Sequence, residues 1–295
     1  MPFRKKKTTA VEVTSAEVTV MAEYEDFEQE NRPVINTAMA THIGTREYQQ
    51  DAAYVCDPVF DENEENLTYG ILCDGMGGTA EGERASNEVV LFMANKIATL
   101  REPDNIINLQ NQDYFPVFLE NTAHTANDLI LKQNEEFKQG SGTTLLTVLL
   151  HGSSLYWLSV GDSRIYIIRG NEIVQTTKDH NYALELQEKV DAGLLSQEEA
   201  NNDPKKDHLI SYIGAPFLEH IDINRSPFQM QYNDIVLLCS DGLTKSLYDD
   251  EILEIITQSG SNLSETARLL TVEAFDRSPG ALDNTTVVLM QYLGR

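Results

Sequence analysis

The chain has 295 residues, of which 41% are hydrophobic and 23% are charged, so it has the composition of an ordinary globular protein with a sizeable core. Its 47 acidic residues outnumber the 22 lysines and arginines, and the net charge of −25 argues against a nucleic-acid partner, although it also fits plain solubility. No apolar run reaches the length of a membrane span, and no apolar core follows the basic start, so we expect neither a membrane contact nor a secretory signal.

The first 33 residues differ in composition from the rest. A basic tip is followed by many acidic residues and few that could build a core, so residues 1–33 are predicted to be a disordered acidic tail and residues 34–295 the folded domain. Cys56, Cys73 and Cys239 lie in separate apolar runs of that domain. They form no close-spaced pair and are predicted to be three buried thiols, which favours the reducing cytoplasm.

Short β-rich runs and amphipathic segments follow from residue 35 onward. Strands are predicted at 52–59, 67–73, 144–150, 155–160, 164–168, 172–176, 235–240 and 285–292. Helices are predicted at 81–100, 116–138 and 264–276, and a capping box formed by Ser196 and Glu199 indicates a further short helix. Most predicted strands are close neighbours in sequence, which favours antiparallel sheets and an α+β fold. The turn Gly161-Asp162-Ser163-Arg164 predicts a hairpin between the strands beside it.

Three aspartates stand at the ends of apolar runs. Asp74 and Asp241 each end such a run and each precede a glycine, and Asp283 stands just before the last run. Any one of them has a plain structural explanation, because Asp-Gly is a common turn pair. Carboxylates gathered at strand ends would repel one another, however, unless a cation lay between them. Oxygen ligands of this kind suit Mg²⁺ or Mn²⁺. The glycine after the aspartate would let a backbone carbonyl approach the cation.

Five blocks of sequence resemble, in order, those of the metal-dependent protein phosphatase family, also called protein phosphatase 2C, and its bacterial members most of all. They are GTREYQQD at 44–51, DGMGG at 74–78 with GERAS at 82–86, SGTT at 141–144 with GDSR at 161–164, SDGL at 240–243, and DNTT at 283–286. Residues 190–214 are similar to the family's mobile flap, which places the flap near 182–214. Five ordered blocks are far more specific than any single motif.

The resemblance implies a four-layer α-β-β-α sandwich, in which two antiparallel sheets are flanked by helices. It also implies an enzyme that hydrolyses phosphoserine and phosphothreonine in signalling proteins by a metal-activated water. Two Mn²⁺ or Mg²⁺ ions would be bound, with a weaker third. Asp74 would bridge the two ions, and Asp241 and Asp283 would complete the first. The carbonyl of Gly75 would bind the second ion, and Asp51 would hold its waters.

The resemblance implies roles for two further residues. Arg46 would bind the substrate phosphate, because a guanidinium can donate two parallel hydrogen bonds to a phosphate. Without the resemblance, the simplest interpretation of Arg46 would be an ordinary surface arginine. Asp162 would contribute ligands to the third ion.

The sequence also departs from the family at several positions. Gln49-Gln50 stands where relatives often carry an acid, and Met76 stands where animal relatives carry the histidine that serves as general acid. Lys245 replaces an acid that is common in relatives, and it is a rival to Arg46 for the phosphate.

Two other functions compete with this interpretation. One is a non-catalytic phosphoprotein-binding pseudophosphatase, which the retained aspartates disfavour. The other is a two-metal nuclease, which the net charge of −25 disfavours. We therefore expect a monomeric cytoplasmic phosphatase whose partners are phosphorylated proteins, namely the substrates of a serine/threonine kinase.

Overall fold

The computed structural model describes residues 34–56, 67–102, 111–138, 140–278, 280 and 282–294. The predicted tail at 1–33 lies outside the described residues, as does the end of the strand predicted at 52–59. Seven helices are described: α1 Thr79–Ala98, α2 Tyr114–Phe137, α3 Tyr182–Asp191, α4 Gln197–Asn201, α5 Asp241–Thr244, α6 Asp249–Gln258 and α7 Leu263–Arg277. A 3₁₀ turn, Thr99–Arg101, follows α1.

Two antiparallel sheets form the centre of the molecule. The first, called sheet A here, has the strand order β1 (Ile35–His42), β12 (Thr285–Tyr292), β11 (Ile235–Cys239), β7 (Arg164–Arg169), β8 (Glu172–Gln175). The second, called sheet B, has the order β10 (Phe228–Gln229), β6 (Ser154–Val160), β5 (Leu145–His151), β3 (Leu67–Met76), β2 (Asp51–Cys56). Two short strands join sheet B at its side, β4 (Gly142–Thr143) on β3 and β9 (Asp222–Ile223) on β6.

The alternation of side chains along each strand produces a layered core. On β3, Ile71 packs with the helices outside sheet B, whereas the next residue, Leu72, packs between the two sheets. On β12, Val288 packs between the sheets and Leu289 packs against the helices outside sheet A. Both faces of these strands are therefore buried, as expected for inner layers. The predicted four-layer α-β-β-α sandwich is confirmed.

The predicted helices form the outer layers. On α1, the apolar residues Ala85, Val89, Met93 and Ile97 recur at every fourth position, and all are fully buried against sheet B. Burial of each of the three larger side chains, those of Val89, Met93 and Ile97, stabilises the fold by about 1.5–3 kcal/mol. The predicted capping box is also present, since Glu199 N donates to Ser196 Oγ at 3.2 Å and Ser196 N donates to Glu199 Oε2 at 2.9 Å. Among the described residues, none of the helices combines the length and apolar character that a membrane span requires.

The hairpin predicted around Gly161 is wrong. β6 belongs to sheet B and pairs with β5, whereas β7 belongs to sheet A and pairs with β8 and β11. The segment between them carries the chain from one sheet to the other. Gly161 adopts φ +109°, and a Cβ there would lie 2.6 Å from Thr144 Cγ2. The turn residues were recognised correctly, but both strands are buried on both faces, so their pattern does not reveal which sheet each strand joins.

Candidate active site

The site begins with two aspartates on neighbouring strands of sheet B. Asp51 starts β2 and pairs directly with Asp74 near the end of β3. The backbone around Asp74 is held from both sides: its N–H donates to Thr144 Oγ1 at 2.9 Å, and its carbonyl accepts from Thr143 Oγ1 at 2.9 Å. Gly75 N donates to the carbonyl of Gln50 at 3.1 Å. Strand pairing therefore fixes two carboxylates side by side.

Two more aspartates come from sheet A. β11 runs through Ser240 into Asp241, which is the first residue of α5, and Asp283 lies two residues before β12. The buried Ser240 joins the two sheets, because its hydroxyl donates to Asp51 Oδ2 at 2.7 Å and accepts from Thr286 N at 2.9 Å. The sequence analysis gave Ser240 no role beyond its block.

Asn284 is a second cross-link that the sequence analysis missed. Its Oδ1 accepts from Gln50 N at 2.7 Å, and its Nδ2 donates to the carbonyls of Ile43 at 2.8 Å and Tyr48 at 3.1 Å. The asparagine side chain, only 3% exposed, thus ties the loop before β2 to the segment that carries Asp283. The loop that it anchors also carries Arg46.

Three glycines of the sequence blocks are required by close packing of backbones. A Cβ on Gly75 would lie 2.2 Å from the carbonyl oxygen of Gly82, and a Cβ on Gly242 would lie 2.2 Å from that of Asn284. A Cβ on Gly82 would lie 2.3 Å from Gln50 Nε2. The segments that carry Asp74 and Asp241 therefore sit against their neighbours with no room for a side chain.

These segments surround a pocket of about 550 Å³. The predicted site residues that line it are Arg46, Asp74, Gly75, Asp162, Asp241 and Asp283. Asp51 does not line the pocket; it lies beside Asp74 on the neighbouring strand and is only 6% exposed. The pocket is also lined by flap residues that the sequence analysis did not single out, namely Asp207, His208, Leu209 and Tyr212.

The predicted flap is anchored close to these aspartates. Ile213 exchanges two backbone hydrogen bonds of 2.9 Å with Thr143, whose hydroxyl holds the Asp74 carbonyl. At its other end, Tyr182 N donates to the carbonyl of His208 at 2.8 Å. Helices α3 and α4 belong to this segment and lie off both sheets. A movement of the flap would therefore reach the pocket directly.

His180 orders the loop that carries Asp162. Its Nδ1 accepts from Gly161 N at 3.1 Å, and its own N–H donates to the Gly161 carbonyl at 2.9 Å. Burial lowers the pKa of His180 to about 4, so the ring is neutral at physiological pH and can accept this hydrogen bond. No pattern in the sequence pointed to this contact.

The electrostatics of the pocket suit a bound cation. Burial and the charges of Asp241 and Asp283 raise the pKa of Asp51 to about 7. Burial raises the pKa of Asp74 well above its usual range, and the charges of Asp51 and Asp241 add to the shift. Two buried carboxylate oxygens, Asp51 Oδ1 and Asp241 Oδ1, have no hydrogen-bond partner within the described part of the chain. A hard divalent cation would satisfy both the charge and the open oxygens.

Two basic side chains pair with the aspartates of sheet A. Arg46 Nη2 donates to Asp283 Oδ2 at 2.7 Å, and Lys245 Nζ forms an ion pair with Asp241 Oδ2. In the described ranges, no three His, Cys, Asp or Glu side chains are already gathered tightly enough to form a metal cluster.

Comparison with known sequences agrees with the site. A model of the protein phosphatase 2C family matches residues 40–274, which include every described helix but the last residues of α7, every strand but β12 and the start of β1, and six of the seven predicted site residues; the exception is Asp283. The chain belongs to the protein phosphatase 2C family. The serine/threonine phosphatase Stp of Listeria monocytogenes is 32% identical over 232 residues, which are 78% of this chain and 86% of that protein. Membership of this phosphatase family confirms the prediction of a serine/threonine phosphatase.

Solved structures of phosphatases share the fold. The serine/threonine phosphatase of S. agalactiae superimposes with a TM-score of 0.71 at 30% identity, over 87% of this chain and 98% of that one. The catalytic domain of the serine/threonine phosphatase PstP, solved with two manganese ions, superimposes with a TM-score of 0.67 at 29% identity, over 88% of this chain and 99% of that one.

Proposed function

We propose that this chain removes phosphate from phosphoserine and phosphothreonine in proteins with the help of two divalent cations. The observation that carries the proposal is the meeting of aspartates from both sheets at one pocket, together with two buried carboxylate oxygens, one on Asp241 in the pocket and one on the adjacent Asp51, that lack partners among the described residues. The neighbouring strands and the Ser240 cross-link give these carboxylates fixed positions. A preorganised anionic pocket of this kind is built to bind cations rather than to pack.

The proposed ligand set is the one that the resemblance to the family implies, and the pocket brings most of its members together. Asp74 would be shared by the two cations, while Asp241 and Asp283 would complete the first. The Gly75 carbonyl would bind the second cation, and Asp51, which pairs with Asp74 on the neighbouring strand, would hold its waters. When bound, the cations supply an activated water and positive charge for the phosphoryl oxygens. An all-oxygen set suits manganese or magnesium, and the two manganese ions of the PstP structure support that choice.

Arg46 is proposed to bind the substrate phosphate. Its side chain is 56% exposed, lines the pocket and lies beside Asp283, so it can turn from that carboxylate to an incoming phosphate. A guanidinium offers two parallel donors to a phosphate. Met76, which also lines the pocket, has no proton to transfer and cannot replace the general acid of animal relatives. A pocket of about 550 Å³ admits a phosphorylated side chain from a protein surface.

The division of the chain and its cellular setting are proposed from the composition of the sequence and the family. Residues 34–295 are proposed to form the catalytic domain and residues 1–33 a separate acidic tail. We propose a monomer that acts in cytoplasmic signalling, opposite a serine/threonine kinase whose substrates it dephosphorylates. Cys56, Cys73 and Cys239 are buried and none of the three forms a disulfide in the described part of the chain, which supports the reducing compartment.

The experiment replaces the carboxylates one at a time. We expect Asp241→Ala and Asp283→Ala each to lose most hydrolysis of a chromogenic phosphomonoester. The fold should be kept, because the loss of one carboxylate relieves repulsion in the pocket. Asp128→Ala, which removes an exposed carboxylate from α2, is the matched control and should keep the wild-type rate. Near-normal rates of either site variant at low Mn²⁺ would contradict the ligand assignment, and an inactive wild type at every Mn²⁺ concentration would favour the pseudophosphatase.

A further inference from the structure

Lys245 stands at the edge of the carboxylate cluster, which consists of Asp51, Asp74, Asp162, Asp241 and Asp283. It directly follows α5, four residues after Asp241, and its ammonium forms an ion pair with Asp241 Oδ2. The Lys245 side chain is 56% exposed, whereas that of Asp241 is only 15% exposed. Lys245 and Asp283 also line one pocket. The ammonium therefore lies on the solvent-facing side of the carboxylates.

Asp241 divides its two oxygens between different neighbours. Oδ2 contacts the Lys245 ammonium, and Oδ1 is buried without a hydrogen-bond partner in the described residues. One oxygen is thus free for the cation pair of the proposed function, and the other is already occupied. A second cation site that shared Asp241 would have to displace the lysine.

Asp162 and Asp241 line the same pocket, and the space beside these two carboxylates is called the corner here. The charges of Asp241 and Lys245 are both close enough to act on Asp162. The nearby Arg164 is engaged elsewhere, because it binds both oxygens of Asp179 at 2.9 and 2.7 Å. Arg46 in turn contacts Asp283.

We propose that the Lys245 ammonium is a built-in cation for the corner between Asp162 and Asp241, and that it prevents strong binding of a third divalent ion there. This inference rests on the proposed function, in which two cations occupy the rest of the cluster. A divalent ion at this corner would need oxygens of both aspartates, and the ammonium both occupies one of them and repels the ion.

Reversal of the charge at position 245 should open the corner. Lys245→Asp removes the repelling ammonium and adds a carboxylate close to Asp162 and Asp241. One charge at such range changes the proton affinity of a carboxyl by roughly one to three pKa units. We therefore expect the Kd of a third Mn²⁺ to fall by at least about ten-fold. Lys245→Ala removes only the repulsion and should give a smaller gain.

The test counts bound Mn²⁺ by the loss of the EPR signal of the free ion, with the full chain. We expect two tight ions on the wild type, three on Lys245→Asp, and two again when Asp162→Asn is added to Lys245→Asp. The control Lys96→Asp makes the same charge change about 20 Å along α1 from Gly82 and should bind two. Circular dichroism checks that each variant is folded, and Lys245→Ala replaces Lys245→Asp if the latter does not fold.

The number of bound ions distinguishes a failure of this inference from a failure of the proposed function. Three tight ions on the wild type, or no additional ion on Lys245→Asp and Lys245→Ala, would overturn the role of Lys245. An additional ion that persists after Asp162→Asn would also overturn it, because the gained site would then lie elsewhere. Fewer than two ions on the wild type would instead contradict the proposed function, whatever the difference between the wild type and the lysine variants.

Discussion

The hydroxyl of Ser240 donates a 2.7 Å hydrogen bond to Asp51 Oδ2 and so joins the end of β11 in sheet A to the start of β2 in sheet B. Both residues are buried, and the same hydroxyl accepts from Thr286 N. The position of Asp51 in the carboxylate cluster is therefore set from the opposite sheet, through a contact between residues 189 positions apart in sequence.

Ser240→Ala should destabilise the protein. It leaves the buried Asp51 oxygen and the Thr286 N–H without a partner, and an unsatisfied buried polar group costs about 1–3 kcal/mol. We expect a loss of that size in the free energy of unfolding in urea, measured in EDTA. Ser226→Ala at an exposed position is the control. Equal stability of the two variants would show that the cross-link contributes nothing.

The stability of the metal-stripped protein should fall as the pH rises. Burial raises the pKa of Asp51 from 3.8 in the unfolded chain to about 7 in the fold. This carboxyl therefore stabilises the fold fully below about pH 4, and that contribution is lost as the pH rises through 7. Burial also raises the pKa of Asp162 to about 7, so this carboxyl changes the stability in the same direction.

Urea unfolding in EDTA across this pH range measures the effect, and Asp51→Asn should flatten part of the decline. With saturating Mn²⁺ the trend should weaken or reverse, because cations bind the ionised carboxylates. An unchanged slope in Asp51→Asn would mean that the pH dependence arises from other groups.

Arg46→Ala should lower kcat/KM by roughly ten- to a hundred-fold, the value of a charge-assisted contact of about 1.5–3 kcal/mol. Arg46→Lys should recover only part of the loss. The sequence analysis treated Arg46 as a phosphate ligand alone, but its contact with Asp283 implies that its removal also frees a carboxylate. The Mn²⁺ concentration that gives half-maximal rate should therefore not rise.

Arg225→Ala is a close control for Arg46→Ala, because Arg225 forms a similar ion pair with Glu120 at 2.8 Å and is 58% exposed. Lys245→Ala, measured beside it, tests the rival phosphate cation. If Arg46→Ala keeps its kcat/KM while Lys245→Ala loses it, the assignment of Arg46 is wrong.

Deletion of residues 1–33 should leave the catalytic domain folded and active. The described fold starts with β1 at Ile35, and the family match starts at residue 40. We expect the melting temperature and the turnover of a chromogenic ester to match those of the full chain. A large fall in melting temperature would show that the tail packs on the domain.

The sequence predicted those parts of the fold that depend on local patterns. The apolar run before Asp241 is unbroken and begins with the β-branched Ile235 and Val236, and it forms β11 as predicted. The sequence did not predict β1, because its residues INTAMATH are mostly small or polar and do not have the composition of a strand. Ala38 and Ala40 are nevertheless buried in the fold. The hairpin error has a related cause, since the pattern of a strand does not reveal which sheet it joins.

The site shows the same division between local and long-range information. Asp74, Asp241 and Asp283 were identified because each adjoins a recognisable apolar run. Asn284 and the flap residue His208 reach the site through contacts that are distant in sequence, such as the bond from Gln50 N to Asn284 Oδ1 across 234 positions. No spacing rule contains such contacts, so a structure was needed to find them.

Release of phosphate from a phosphothreonine peptide by the full chain, stripped of metal and then titrated with Mn²⁺, tests the metal dependence of the reaction most directly. This dependence requires that hydrolysis stops after chelation and recovers fully when Mn²⁺ is restored, with Asp128→Ala behaving like the wild type and Asp241→Ala remaining inactive. Full turnover by the metal-stripped wild type would contradict it, because the aspartate cluster would then have no part in the reaction.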